Sequence, residues 1–164
     1  PMVEPEVLMD GVHSIERCYA VTSQSLKSLF DCLKDEGVNI AGTILKPNMV
    51  TSGSMSESQA SVQEVAEMTV KCLNENVPSE LPGVTFLSGG QSDVDATAHL
   101  DAMNKIGGFP WKLSFSYGRA LQQPSLKAWL GKEENVSHAQ DALSHRALMN
   151  KLAANGAWNP ELEN

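Results

Sequence analysis

The feature that narrows this chain most is an alternation, met four times, of a short apolar run with a long amphipathic stretch. The short runs at 2–8, 39–47, 84–87 and 111–117 read as strands. Helical stretches over 14–36, 58–76 and 92–105 follow the first three, and two pieces, 119–130 and 135–155, follow the fourth. In the first helix Tyr19, Leu26, Leu29, Phe30 and Leu33 keep three-to-four spacing, and Gly37 stops it. In the second, Val62, Val65, Ala66, Thr69, Cys72 and Leu73 form the stripe expected to be buried. Ser92 or Asp93 caps the third, which Gly107-Gly108 ends. Met9-Asp10-Gly11 is a turn signal, 49–57 is a Ser-rich loop, and 158–164 is a polar end.

Repeated βα units predict parallel strands joined by right-handed helical crossovers. A Rossmann half is one such fold, but no GxGxxG follows the first strand. A (β/α)8 TIM barrel fits better, because polar residues and glycines cluster at the strand C-termini, where barrel sites are built. A whole barrel takes roughly 250 residues. This chain has 164 residues and four strands. The expected class is therefore α/β, half of such a barrel, with 1–164 as a single unit. A half-barrel leaves two unpaired edges and an apolar inner face. The chain starts inside its first strand, at Pro1, without an initiator Met. The expectation is a piece of a longer polypeptide, with pairing to a separate other half as the alternative.

The composition is that of a soluble globular domain, 41% apolar and 20% charged. No apolar run approaches the roughly 18 residues of a membrane span, and no signal peptide is visible. The formal charge of −8 argues against a phosphate backbone as partner, so no nucleic acid is expected. A small anionic substrate remains compatible, since a few local cations act at close range. Cys18, Cys32 and Cys72 are odd in number and form no CxxC pair, which fits a reducing compartment. His13, His99, His138 and His145 match no common ligand spacing, so no metal is expected.

Lys46 ends an apolar strand, between Ile44-Leu45 and Pro47. In a barrel mouth its amine would be partly desolvated and free to attack a carbonyl. The other reading is a strand-end lysine that snorkels to water. Glu4 and Glu6 end the preceding strand, and Glu4 could meet Lys46 and shuttle protons beside it. Equally, the two glutamates could flank Pro5 at the surface. Ser88-Gly89-Gly90 leads from the third strand into a helix, a turn whose N–H groups can hold phosphate. Ser116-Tyr117-Gly118-Arg119 does the same after the fourth, and Arg119 adds a bidentate clamp. Two such neighbouring turns form the phosphate site common after the last two strands of barrels, although either alone is an ordinary tight connection. His99 reads as a surface or satisfied core residue, the methionines as core filler, and Trp129 and Trp158 as packing anchors.

Four segments carry a resemblance: Val3-Glu4-Pro5-Glu6, 42–50 around Lys46, Phe86-Leu87-Ser88-Gly89-Gly90-Gln91-Ser92, and 113–121 through Gly118-Arg119, continued by Leu126-Lys127-Ala128-Trp129. Over essentially its whole length the chain resembles class I fructose-bisphosphate aldolase, C-terminal half. The resemblance implies strands five to eight of the TIM barrel and a carbon-carbon lyase. The implied reaction is the reversible cleavage of fructose 1,6-bisphosphate into dihydroxyacetone phosphate and glyceraldehyde 3-phosphate, in glycolysis and gluconeogenesis. Lys46 is implied as the Schiff-base lysine, Glu4 as the glutamate assisting proton transfer, and Glu6 as its acidic companion. Ser88 and Gly89, and then Gly118 and Arg119 with Ser116 nearby, are implied as the phosphate-binding turns. No cofactor is implied. A cytoplasmic location, a homotetramer and the N-terminal half of the barrel as partner are implied as well. That half would supply an aspartate and further strand-end lysines, so the isolated chain is expected to be incompetent as an aldolase. The family's tail ends in tyrosine, and this sequence stops at Asn164 without one. Two rival readings stay open. One is another Schiff-base barrel enzyme such as a transaldolase; the other is a non-catalytic split-gene product acting as a binding module.

Overall fold

The computed structural model describes residues 1–163, so Asn164 of the polar end lies outside the described residues. The four apolar runs form one parallel sheet in the order β1-β2-β3-β4, the order of the sequence. The strands are β1 (Met2–Val3), β2 (Ile44–Leu45), β3 (Gly83–Phe86) and β4 (Lys112–Phe115). β1, β2 and β4 are shorter than their apolar runs, and β3 is its run shifted by one residue. The run expected at 39–47 opens with a 3-10 turn over Ile40–Gly42, closed by Thr43 N–H donating to Ile40 O at 3.0 Å. Pro47 has no N–H to extend the ladder. Glu4-Pro5-Glu6 leaves β1 early for the same reason.

Five α-helices follow: α1 (Ile15–Asp35), α2 (Val62–Asn76), α3 (Asp93–Ile106), α4 (Arg119–Trp129) and α5 (Val136–Ala153). Their starts are written in the sequence. Ser14 accepts from Arg17 N–H at the head of α1. Ser61 and Glu64 form a reciprocal capping box on α2, which delays that helix past the expected start at 58. Val62 therefore lies in the first turn and is exposed, outside the buried stripe it was expected to join. At α3 the cap is Ser92, whose Oγ accepts from Asp95 N–H at 3.0 Å.

The register sets Leu45, Val84 and Leu113 side by side, and all three are buried. They share one core with Leu26, Phe30, Leu73, Leu100 and Met103 from the helices. One residue further along each strand the side chains turn to the opposite face. Continuing the register by that residue aligns Glu4, Lys46, Thr85 and Ser114 across the sheet. Trp158 is buried as expected, whereas Trp129 is 43% exposed and packs no core. It ends α4, where Leu126 and Leu130 are exposed with it.

Among the described residues, no helix is long and apolar enough to cross a membrane.

Candidate active site

The backbone ladder continues past each strand's end and fixes where the site residues start. Lys46 N–H donates to Val3 O at 2.8 Å, Leu87 N–H to Pro47 O at 3.1 Å, and Ser116 N–H to Phe86 O at 2.9 Å. The C-terminal ends of all four strands thus emerge together. Asn48 ties the first two. Its Oδ1 accepts from Val7 N–H at 3.0 Å, and its Nδ2 donates to Thr22 Oγ1 at 3.1 Å on α1 and to Met49 O at 3.0 Å. The sequence reading passed over Asn48. The signal was a lone polar side chain inside the run 45–50, which is buried here apart from Lys46 itself.

Lys46 and Glu4 meet. Nζ lies 2.8 Å from Glu4 Oε1, with the lysine side chain 18% exposed and the glutamate 49%. A half-exposed carboxylate paired with a largely covered amine keeps one end of the pair open to solvent, so a proton can leave or arrive through Glu4. Glu6 takes another direction: its Oε1 would stand 4.0 Å from a Cβ placed on Gly89. It therefore borders the Ser88-Gly89-Gly90 turn.

That turn is shaped by two left-handed glycines, Gly89 at φ +55° and Gly90 at φ +91°. A Cβ at Gly89 would approach Leu87 Cδ1 at 3.2 Å, and one at Gly90 would approach Met9 Sδ at 3.3 Å. The left-handed backbone favours glycine at both positions, and a side chain at either would also have to push aside the end of Leu87 or Met9. The same test places Arg119 Nη2 3.7 Å from the Gly90 position, so the guanidinium stands over this main chain. Ser88 is buried, and its carbonyl accepts from Gln91 N–H at 2.9 Å. Gly118 opens α4, its carbonyl accepting from Leu121 and Gln122 N–H, and Arg119 is the first residue of that helix. Ser116 is partly buried just before it. A hollow of about 130 Å³ between the two helix starts is lined by Ser92, Asp93, Arg119 and Lys127. Two helix N-termini and two cations, set against the Asp93 carboxylate, meet at this hollow, and the cations with the helix dipoles favour an anion there.

His99 lies one layer behind the turn, buried in α3, with Nδ1 2.6 Å from Gln91 Oε1. Burial lowers its pKa to about 4, only weakly opposed by Asp95. The neutral ring is thus the folded form, while the unfolded chain takes up a proton near the ordinary value of about 6.5. Stability from this group is complete above pH 6.5 and falls as the pH drops towards 4. The expected loss between pH 7 and pH 4 is about 3 kcal/mol. Urea unfolding at the two pH values, compared with a His99→Asn variant, checks it: the variant's pH slope is the smaller.

The sequence reading also missed Arg146 of α5, which is 3% exposed. Its guanidinium donates to Thr97 Oγ1 at 2.6 Å, to Asp93 O at 3.2 Å and to the Glu163 carboxylate. Trp158 Nε1 donates to the other oxygen of Glu163 at 2.9 Å. The start of α3, which follows the glycine turn, is thereby tied to α5 and to the segment 158–163. Nothing in the local sequence distinguishes this arginine from one facing solvent.

Comparison with known proteins gives a consistent result. The family profile described as Fructose-bisphosphate aldolase class-I matches residues 1–164. A probable fructose-bisphosphate aldolase class 1 of Xanthomonas axonopodis pv. citri (strain 306) is 55% identical over 159 residues, 96% of this chain and 48% of that protein. Fructose-bisphosphate aldolase 2 of Caenorhabditis elegans is 52% identical over 162 residues, 98% of this chain and 44% of that protein. Among solved structures, fructose-bisphosphate aldolase from Plasmodium falciparum, in complex with TRAP and a small-molecule inhibitor, superposes with a TM-score of 0.94 at 48% identity. That match covers 97% of this chain and 46% of the other. The chain spans about half the length of the curated relatives it matches.

Proposed function

The chain belongs to the class-I fructose-bisphosphate aldolase family, and from that membership we propose that it forms strands five to eight of a (β/α)8 barrel and carries the Schiff-base half of an aldolase site. The observation that carries this reading is the 2.8 Å pair of Lys46 Nζ and Glu4 Oε1 on neighbouring strand ends. The free edges of β1 and β4 support a missing half, as does the exposed trio Leu126, Trp129 and Leu130. The partner is the N-terminal half of the barrel, in a homo-oligomer that the resemblance makes a tetramer. The substrate is a phosphorylated ketose, fructose 1,6-bisphosphate. One relative, from Arabidopsis thaliana, is named cytosolic, and the same location is proposed here.

In this reading Glu4 takes a proton from the Lys46 ammonium. The amine nitrogen then adds to the ketone carbon, and the carbonyl oxygen collects protons and leaves as water. The protonated imine that results withdraws electrons from the adjacent carbon. When the C4 hydroxyl loses its proton, the C3–C4 bond breaks, its electron pair forms an enamine, and the aldehyde departs. Protonation at C3 and hydrolysis of the imine return the lysine and release dihydroxyacetone phosphate. Gly89, Gly90, Gly118 and Arg119, with Ser88 and Ser116 beside them, anchor the phosphate and so hold the ketone against Lys46. Glu6 bounds the site on the Gly89 side.

The test is reductive trapping. The chain is incubated with dihydroxyacetone phosphate and borohydride, alone and with the N-terminal half of a relative, and the adduct is mapped by mass. The expected result is a stable adduct on Lys46 in the mixture and little with the chain alone. Efficient trapping by the chain alone would show that the other half is dispensable. No adduct on Lys46 in either case would overturn the Schiff-base assignment.

A further inference from the structure

A glutamine and a histidine that take no part in the proposed chemistry form a bridge behind the glycine turn. Gln91 donates twice to the Ser88 carbonyl, from its backbone N–H at 2.9 Å and from Nε2 at 3.0 Å. With Nε2 so engaged, the other end of the amide, Oε1, faces His99 Nδ1 at 2.6 Å. An amide oxygen only accepts, so Nδ1 carries the proton and the tautomer of His99 is fixed. His99 is 7% exposed in the second turn of α3, on the same face as buried Ala96 and Met103. A rigid helix thus reaches through a ring and an amide to the carbonyl that opens the turn.

We propose that Gln91 and His99 are positioning residues for the Ser88-Gly89-Gly90 turn, holding its amides on a phosphate-ready path; the proposal rests on the phosphate reading given above. Two consecutive glycines have the greatest backbone freedom to lose, and a loop that must order itself on binding spends affinity doing so. Packing, from Leu87 and Met9, holds the turn on one side only. A cleft of about 360 Å³ opens beside the bridge, lined by Met9, Ser52, Gly90, Gln91, Asp95 and His99. The Gln91 side chain borders this space, and its hydrogen bonds are what fix it. Neither residue contacts the Lys46–Glu4 pair, so their influence is on where phosphate sits.

Two readouts on the chain paired with the N-terminal half of a relative test this: amide hydrogen exchange at Gly89, Gly90 and Gln91, and an inorganic phosphate titration followed at the same amides. His99→Leu is expected to speed exchange at Gln91 about tenfold relative to Leu100 and Met103 in α3. It is expected to weaken phosphate roughly fivefold. His99→Asn offers a side-chain N–H in the place of Nδ1–H and restores both to within about twofold. Should His99→Leu fail to fold, Gln91→Leu, which removes the same bridge from a partly exposed position, is read instead. Unchanged exchange and affinity in a chain that responds to phosphate would overturn the bridge alone. No response of Gly89 and Gly90 to phosphate in the unsubstituted chain would overturn the functional reading and, with it, the role given to the bridge.

Discussion

Lys46→Met is expected to remove all borohydride-dependent labelling by dihydroxyacetone phosphate while leaving the fold intact. Methionine keeps the length and the apolar stem of the side chain, so the packing beside buried Leu45 and Pro47 is preserved. On the proposed Schiff-base reading, what disappears is the nucleophile, and with it the electron sink for carbon-carbon cleavage. Deleting a covalent nucleophile costs on the order of 10⁵–10⁶-fold in turnover. The reconstituted two-half enzyme should therefore lose fructose bisphosphate cleavage to background, with its far-UV circular dichroism unchanged. Glu4 loses its cationic partner in this variant, but at 49% exposure it returns to water at little cost. Residual cleavage within a hundredfold of the unsubstituted protein would show that chemistry at this site does not pass through the lysine.

The second large effect is on stability. Arg146→Met is expected to destabilise the chain by about 3–5 kcal/mol, because removing one member of a buried charged network strands the others. The Glu163 carboxylate, the Thr97 hydroxyl and the Asp93 carbonyl all face the guanidinium. The Thr97 hydroxyl and the Asp93 carbonyl cannot reach solvent without moving α3, whereas Glu163 sits in the terminal turn Pro160–Glu163. Urea denaturation measures the effect as a lower midpoint at unchanged slope. Glu163→Gln in the same background should cost less than it does alone, because a neutral amide no longer needs the cation. A loss below about 1 kcal/mol for Arg146→Met would mean that water replaces the guanidinium freely.

Much of this architecture could be read from periodicity. Helical spacing from Tyr19 to Leu33 and serines before each helix start identify α1, α2 and α3, since caps and stripes are local signals. The strands β1 and β2 were overdrawn, because Pro5 and Pro47 cannot donate to a ladder and residues 40–42 take a 3-10 turn instead. Val62 and Trp129 show the limit of the pattern: spacing proposes a face, but the cap and the end of the helix decide whether anything covers it. The arrangement was legible where the residue type is unusual, as in the meeting of Lys46 with Glu4 and the left-handed pair Gly89-Gly90. It was illegible where a common residue does a distant job. Asn48 and Arg146 act through partners 26 and 53 residues away, and no short window contains both ends; Gln91 and His99 stand only eight residues apart, but nothing in the local sequence marks them as a pair.

The agreement of spatial and chain order has a consequence for synthesis on the ribosome. Each new strand can dock on the one made just before it, so the sheet can grow as the polypeptide emerges, without waiting for a later strand to insert. The exception is the knot of contacts at the head of α3, where Asp93 must wait 53 residues for Arg146. At ~5–20 residues per second that is a delay of roughly 3–10 s. The Lys46–Glu4 pair can form early, whereas the start of α3 is tied down only when the last long helix folds back.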